Sequence, residues 1–282
     1  MKTYLNQSLA SNLDELAVKL RSQYQTADPF PNIVIDDFFN ESYLSKVLEE
    51  FPDLSKKKAI NFKNPKQIKL ASKGEESFGP KTKQLMHYLN SEEFLHFLQT
   101  LTGITEPLIP DPYFAGGGQH EIKKGGLLKI HADFNKHPFL ELDRRINVLI
   151  YLNKNWKEEY GGHFQLWDTE MKECKKKILP KFNTLAIFST TSNSYHGHPD
   201  ALTCPEGRSR KSLALYYYSN GRPKEEAGSE HSTLFKERKG IDKPEDFQKQ
   251  ANNKPPLVNR LVKQILPPIL LNGIRKVKNS KK

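Results

Sequence analysis

Apolar positions follow two different periods along this chain, and the change between them divides it. Over 11–25, Leu13, Leu16, Ala17 and Leu20 recur at helical spacing, with Ser11 as a candidate N-cap. ADPFPNIVIDDFF follows as an extended entry, its prolines at 29 and 31 leading into the apolar run 33–35. Asn40 or Ser42 is placed to cap a helix through Phe51, with Tyr43, Leu44, Val47 and Leu48 on one face. Residues 53–81 are lysine-rich and punctuated by Gly and Pro, which predicts surface loop with short strands. A helix is predicted over 80–102, closed by Gly103.

From about 107 the period shortens. GGLLKIHADFN, RRINVLIYLN, GGHFQLWD, NTLAIFST and RKSLALYYYS each read as a strand bounded by turn residues. Short strands at that spacing indicate a sandwich, barrel or jelly roll. GGGQHEIKKGG at 116–126 has the wrong spacing for a phosphate loop and reads as a hairpin leading into the next strand, with His120 at the surface. Residues 222–256 are polar and read as loosely packed, and LVNRLVKQIL at 257–266 carries a short helical apolar stripe.

Charge changes the picture once it is located. The 282 residues carry 44 Lys and Arg against 33 Asp and Glu, a formal charge of +11. Seven of the basic residues and none of the acidic ones lie in 257–282, so the preceding 256 residues hold 37 against 33. The body is near neutral and the tail is basic. Docking of the tail on the core is favoured over weak contact with an anionic membrane surface, and no module for specific nucleic-acid binding is present. No run of about 18–20 apolar residues exists to span a bilayer. Cys174 and Cys204 make neither a disulfide framework nor a metal motif, and the N-terminus lacks a signal peptide's apolar core. The expected location is cytoplasmic.

The candidate chemistry lies in KIHADFN. In a strand His131 and Asp133 project from one face, supplying two ligands of a 2-His-1-carboxylate triad for Fe(II). The third must be a histidine distant in sequence. NSYHGHPD offers His196 and His198 at the end of the strand NTLAIFST. His196 is preferred as the nearer to the strand, with His198 in the loop that shapes the entrance. In GRSRKSLALYYYS, Arg210, Ser212 and Tyr216 share a strand face, so they can look into the same cavity. A guanidinium buried in a metal cavity demands an anion, and its fork matches a carboxylate such as the distal one of 2-oxoglutarate.

In the order and spacing of these pieces, the sequence resembles the Fe(II)- and 2-oxoglutarate-dependent dioxygenases of the prolyl 4-hydroxylase superfamily. The resemblance runs from roughly 107 to 219, and more loosely over 29–39. It implies a mainly β fold with flanking helices around a double-stranded β-helix (jelly-roll) core. It implies a supporting region over 1–106, the catalytic core over 107–220 and an extension with a basic tail over 221–282. His131, Asp133 and His196 match the iron ligands. Arg210 matches the arginine that binds the distal carboxylate, Tyr151 a tyrosine that assists it, and Ser212 adds a hydrogen bond. The loop between His196 and Arg210 is longer than in compact relatives, which leaves Arg208 as an alternative clamp. The implied co-substrates are 2-oxoglutarate and O2, with ascorbate open as an added reductant. The implied reaction is hydroxylation of an unactivated C–H bond. A prolyl residue of a protein or peptide is the first candidate, with a free amino acid, a glycan or a small metabolite as alternatives. A non-catalytic jelly-roll binding module is the alternative from another class.

Overall fold

The computed structural model describes residues 4–226 and 228–247. The chain divides into a unit at Met1–Asp242 and a second at Lys243–Lys282. Of the second, the described part is a 3-10 turn at Pro244–Asp246 and its flanks. The expected helix at 257–266 and the basic tail, with its membrane contact, lie outside the described residues.

The first unit opens with helix α1 (Leu13–Gln25), capped by the Asn12 side chain on the Asp14 and Glu15 amides rather than by Ser11. Strand β1 (Asn32–Asp36) and helix α2 (Glu41–Glu49), capped by Asn40, follow. The lysine-rich segment then forms β2 (Ile60–Asn64) and β3 (Gln67–Ala71). The helix expected over 80–102 is two helices, α3 (Pro80–Leu89) and α4 (Glu92–Thr102). The break falls at Asn90 and Ser91, where Asn90 caps α3 and its side-chain amide donates to the Asp111 carbonyl. Gly103 closes α4 in the left-handed conformation, φ 74°.

The remaining strands are β4 (Ile109–Pro110), β5 (Gly118–Lys123), β6 (Leu127–Ala132), β7 (Asp143–Tyr151), β8 (Phe164–Trp167), β9 (Cys174–Ile178), β10 (Thr184–Ser189), β11 (His196–His198), β12 (Ser209–Ser219) and β13 (Leu234–Phe235). All pair antiparallel in one curled sheet, in the order β1-β10-β7-β12-β5-β3-β6-β11-β8-β9, with β13 on β6, β2 on β3 and β4 on β12. This is the expected jelly-roll core. Alternation sorts its faces. Val148, Ile150, Leu185, Ile187, Leu213 and Leu215 turn outward and pack with α1 and α4 in the main core. Asn147, Leu149, Phe188, Arg210, Ser212 and Tyr216 turn inward and line a cavity.

Two features depart from the sequence reading. β5 and β6 do not pair as a hairpin, because β3 lies between them. The turn makes room with Gly126, where a Cβ would meet the Ile68 carbonyl at 2.7 Å. Residues 228–242 are not loosely packed. Leu234 and Phe235 pair with Ala132 and His131. Asp242, buried, accepts from Lys129 at 2.6 Å and from Arg238 at 2.8 Å. Polar residues pack here because their charges find partners far away in sequence. Among the described residues no helix is long and apolar enough to cross a membrane.

Candidate metal and oxoacid site

Three elements bring His131, Asp133 and His196 together. β6 carries His131, the chain just beyond it carries Asp133, and β11 pairs His196 directly opposite His131. One donor atom from each lies within 4.8 Å of the others. His131 Nδ1 donates to the Lys129 carbonyl and His196 Nδ1 to that of Ser194, each at 2.8 Å. A carbonyl only accepts, so each Nδ1 carries a proton, and in the neutral ring each Nε2 lone pair turns inward. They face the Asp133 carboxylate at 3.5 and 3.3 Å. Two imidazole Nε2 atoms and a carboxylate converging on one point fit a cation, and this ligand set suits Fe(II). Phe188 and Phe164 pack on the His196 ring at 4.7 and 5.6 Å, and Phe235 on the His131 ring at 5.5 Å.

The sequence reading did not identify what holds Asp133. Arg144 Nη2 donates to Asp133 Oδ2 at 3.0 Å and Asn147 Nδ2 to the same oxygen at 2.7 Å. Asn147 Oδ1 accepts from Arg144 Nε at 2.9 Å and Nη2 at 2.7 Å. Oδ1 of Asp133 is left for a metal. Burial alone would raise the Asp133 pKa, but Arg144 and the two histidines overcome it and hold the carboxyl well below the usual range. Burial, with the neighbouring His196, holds the His131 imidazole below its ordinary value. Both effects favour the deprotonated forms that bind metal.

Arg210 lies in the same cavity, 4% exposed. Its Nε donates to the Gly162 carbonyl at 2.8 Å and its Nη2 to the Tyr151 hydroxyl at 3.4 Å. Among the described residues it has no carboxylate partner. Burial pulls its pKa down and Tyr151 opposes that. Ser212 lines the cavity one inward step away, and Tyr151, fully buried, pairs with it across the strands. Arg208 points elsewhere: its Nη2 donates to the Lys154 carbonyl at 2.6 Å, and it does not line the cavity.

Two further assignments change, and two more residues find their place. His198 is not an entrance-loop residue; it is 3% exposed and faces the cavity from β11. His120 is not a surface histidine; it is buried in the cavity wall, where desolvation pushes its pKa down to about 3. Lys69 of β3 lines the cavity too. Asn135, just beyond the metal strand, holds residues 229–231, donating to the Ser229 carbonyl and accepting from the His231 amide.

Comparison with known proteins agrees with this geometry. Residues 118–218 match the family model described as the 2OG-Fe(II) oxygenase superfamily. The mouse prolyl 3-hydroxylase OGFOD1 is 27% identical over 208 residues, covering 68% of this chain and 33% of that protein. The chain thus spans about a third of the length of this curated relative. A Pseudomonas putida prolyl-4-hydroxylase superposes with a TM-score of 0.53 at 14% identity, covering 73% of this chain and all (100%) of that one. A Trichoplax adhaerens prolyl hydroxylase, solved with a peptide fragment of the hypoxia inducible factor oxygen degradation domain, superposes with a TM-score of 0.57 at 19% identity, covering 76% of this chain and 94% of that one. The segment that matches the family model carries the three convergent donors and Arg210, on a fold shared with prolyl hydroxylases. Through this core the chain resembles the 2OG-Fe(II) oxygenase superfamily, and its fold is that of the prolyl hydroxylases.

Proposed function

We propose that this chain is a Fe(II)- and 2-oxoglutarate-dependent dioxygenase that hydroxylates an unactivated C–H bond, with a prolyl residue of a protein or peptide as the leading substrate. The observation that supports it most directly is the pairing, in one cavity, of two imidazole Nε2 atoms and a carboxylate with a buried guanidinium that has no carboxylate partner among the described residues. In this reading His131, Asp133 and His196 hold the iron, and Arg210, Tyr151 and Ser212 receive the distal carboxylate of the oxoacid. Bound Fe(II) and 2-oxoglutarate supply the oxidation: O2, the oxoacid and substrate C–H become C–OH, succinate and CO2.

The chain's own residues position and protect. The Nδ1 hydrogen bonds fix both imidazole rings, and Arg144 with Asn147 fixes the carboxylate. Phe164 and Phe188 close the site beside His196 against water. An open groove of about 670 Å³ is lined by Tyr113, Phe134 and Phe139. Phe134 also packs near Tyr216 of the cavity wall, so the groove lies beside the site. Its volume and apolar lining favour a polypeptide segment over a small polar metabolite. Two free cysteines suit a reducing compartment, and the cytoplasm is the proposed location.

The test is conversion of 2-oxoglutarate to succinate by protein supplied with Fe(II) and ascorbate, together with mass spectrometry of candidate proline-containing peptides for an added oxygen. His131→Ala and Asp133→Ala are expected to abolish both. Turnover that persists in these variants would overturn the metal assignment. Turnover that needs no 2-oxoglutarate would overturn the co-substrate.

A further inference from the structure

β3 is the unusual wall of the cavity. It pairs Leu70 with Glu121 and Ala71 with His120 of β5, and Gln67 with Leu128 and Ile68 with Leu127 of β6. By alternation Lys69 shares the inward face with Ala71, and it lines the cavity with the triad and Arg210. Arg210 pairs with Ile122 of β5, and the β3–β5 register carried one residue further sets Lys69 beside Ile122 on the other side. Lys69 and Arg210 therefore stand two strands apart in one row, about 10 Å between backbones. Two long side chains at that spacing can reach one small ligand.

Lys69 has the chemistry of an unfinished site. Among the described residues its ammonium has neither a hydrogen bond nor a salt bridge, and it lies 5.1 Å from the centre of the Phe62 ring. Burial pushes its pKa down to about 8; Asp133 opposes this, while Arg144 and Arg210 add to it. Lys69 thus shares one cavity lining with the triad and Arg210. A second group is orphaned beside it. His198 is 3% exposed, and neither of its ring nitrogens has a hydrogen-bond partner. Buried polar atoms without partners are uncommon in native folds, and the two ring nitrogens of His198, in a cavity wall shared with the half-buried Lys69, point to a ligand that satisfies them. The charges point to its class. Arg144 is matched by Asp133. Arg210 takes one carboxylate, and Lys69 remains as a surplus cation in the same cavity wall.

We propose that Lys69, with His198 beside it, is a second anchor for 2-oxoglutarate, so that the oxoacid is gripped by two cations from opposite sides of β5. This rests on the reading of the site as an oxoacid site. The anchor comes from an inserted strand outside the segment 118–218 that matches the superfamily model.

Binding isolates the effect from turnover. The full chain loaded with Mn(II) is titrated calorimetrically with 2-oxoglutarate. Removing a charge-assisted contact is expected to weaken 2-oxoglutarate about ten-fold or more in Lys69→Met, with Mn(II) affinity and Tm unchanged. Lys69→Arg is expected to recover most of the loss, which a merely structural lysine would not require. His198→Leu is expected to weaken the oxoacid by a smaller factor. The proposal is overturned if Lys69→Met binds 2-oxoglutarate as wild type does, an outcome that would assign the lysine to an acidic group on the substrate. If the wild-type Mn(II) protein binds no 2-oxoglutarate at all, the reading of the site fails, and the anchor with it.

Discussion

Arg144 and Asp133 form a buried ion pair in which the guanidinium is fully enclosed and its partner is a metal-site carboxylate, Nη2 to Oδ2 3.0 Å. The guanidinium carbon lies 3.5 Å from the centre of the Tyr216 ring and 4.3 Å from that of Phe134. Arg144 thus stacks on two aromatic faces while it aims the carboxylate. Removing one member of a buried pair strands the other. Arg144→Met is expected to lower stability by about 3 kcal/mol. A bound cation would then compensate Asp133 in place of the lost guanidinium, so Mn(II) should raise Tm more in the variant than in wild type. Asn147→Ala keeps the pair but loosens the carboxylate, and should weaken Mn(II) about ten-fold. Thermal unfolding with and without Mn(II), with metal titration, checks both; an equal Mn(II) effect on Tm in Arg144→Met and wild type would count against the compensation.

Arg210 and Arg208 differ in what they already hold. Arg208 is bound by the Lys154 and Asn155 carbonyls, whereas Arg210 gives the cavity a guanidinium with no acid partner among the described residues. Arg210→Ala should weaken 2-oxoglutarate on the order of 100-fold, the effect of losing a buried charged contact. Arg208→Ala should change it by no more than about two-fold. Equilibrium binding to the Mn(II) protein decides, and the reverse ranking would move the clamp to Arg208.

Strand alternation made much of the site legible, because it depends on local geometry alone. It put His131 with Asp133, and Arg210 with Ser212 and Tyr216, on inward faces. What it missed depends on pairing across long sequence distances. QIKLA looks like a solvated segment because it contains a lysine, and only its insertion between β5 and β6 turns Lys69 inward. Arg144 and Arg145 look like a charged strand end. Both are buried because Asp133 and Asn147 take the first and Glu106 and Ser219 the second. His198 sits in a three-residue strand, too short to carry a period. Gly197 lets that strand approach β6, where a Cβ would meet the Leu128 carbonyl at 2.7 Å.

Gly162 offers a test of how closely the Arg210 clamp is fitted. Its φ is +73°, its carbonyl accepts from Arg210 Nε at 2.8 Å, and a Cβ there would lie 3.0 Å from Arg210 Cδ and 2.5 Å from Leu202 Cδ2. Gly162→Ala is therefore expected to push the guanidinium from its seat while leaving the triad intact. 2-Oxoglutarate should bind at least several-fold more weakly, and Mn(II) affinity should be unchanged. An equal loss of both would mean that the substitution disturbs the barrel as a whole rather than the clamp.

Asp242 makes the stability of the C-terminal strap depend on pH in a stated direction. Burial would raise its pKa, but hydrogen bonds from Arg238 and Lys129 overcome this and lower it to about 2 from an ordinary 3.8. A group whose pKa is lower in the folded state contributes stability above its unfolded pKa and loses it as pH falls through the folded one. The contribution, on the order of 2 kcal/mol, is therefore complete above about pH 5, about half gone at pH 3 and lost below about pH 2. Asp242→Asn cannot ionise, so it should be less stable than wild type at pH 7, with the gap narrowing by about half at pH 3. Because Phe235 of the strap lies 5.5 Å from the His131 ring, the same substitution should also weaken Mn(II) at neutral pH. Urea unfolding of both proteins at pH 7 and pH 3 checks the linkage. A gap that stays constant or widens on acidification would show that Asp242 does not titrate as its ion pairs require.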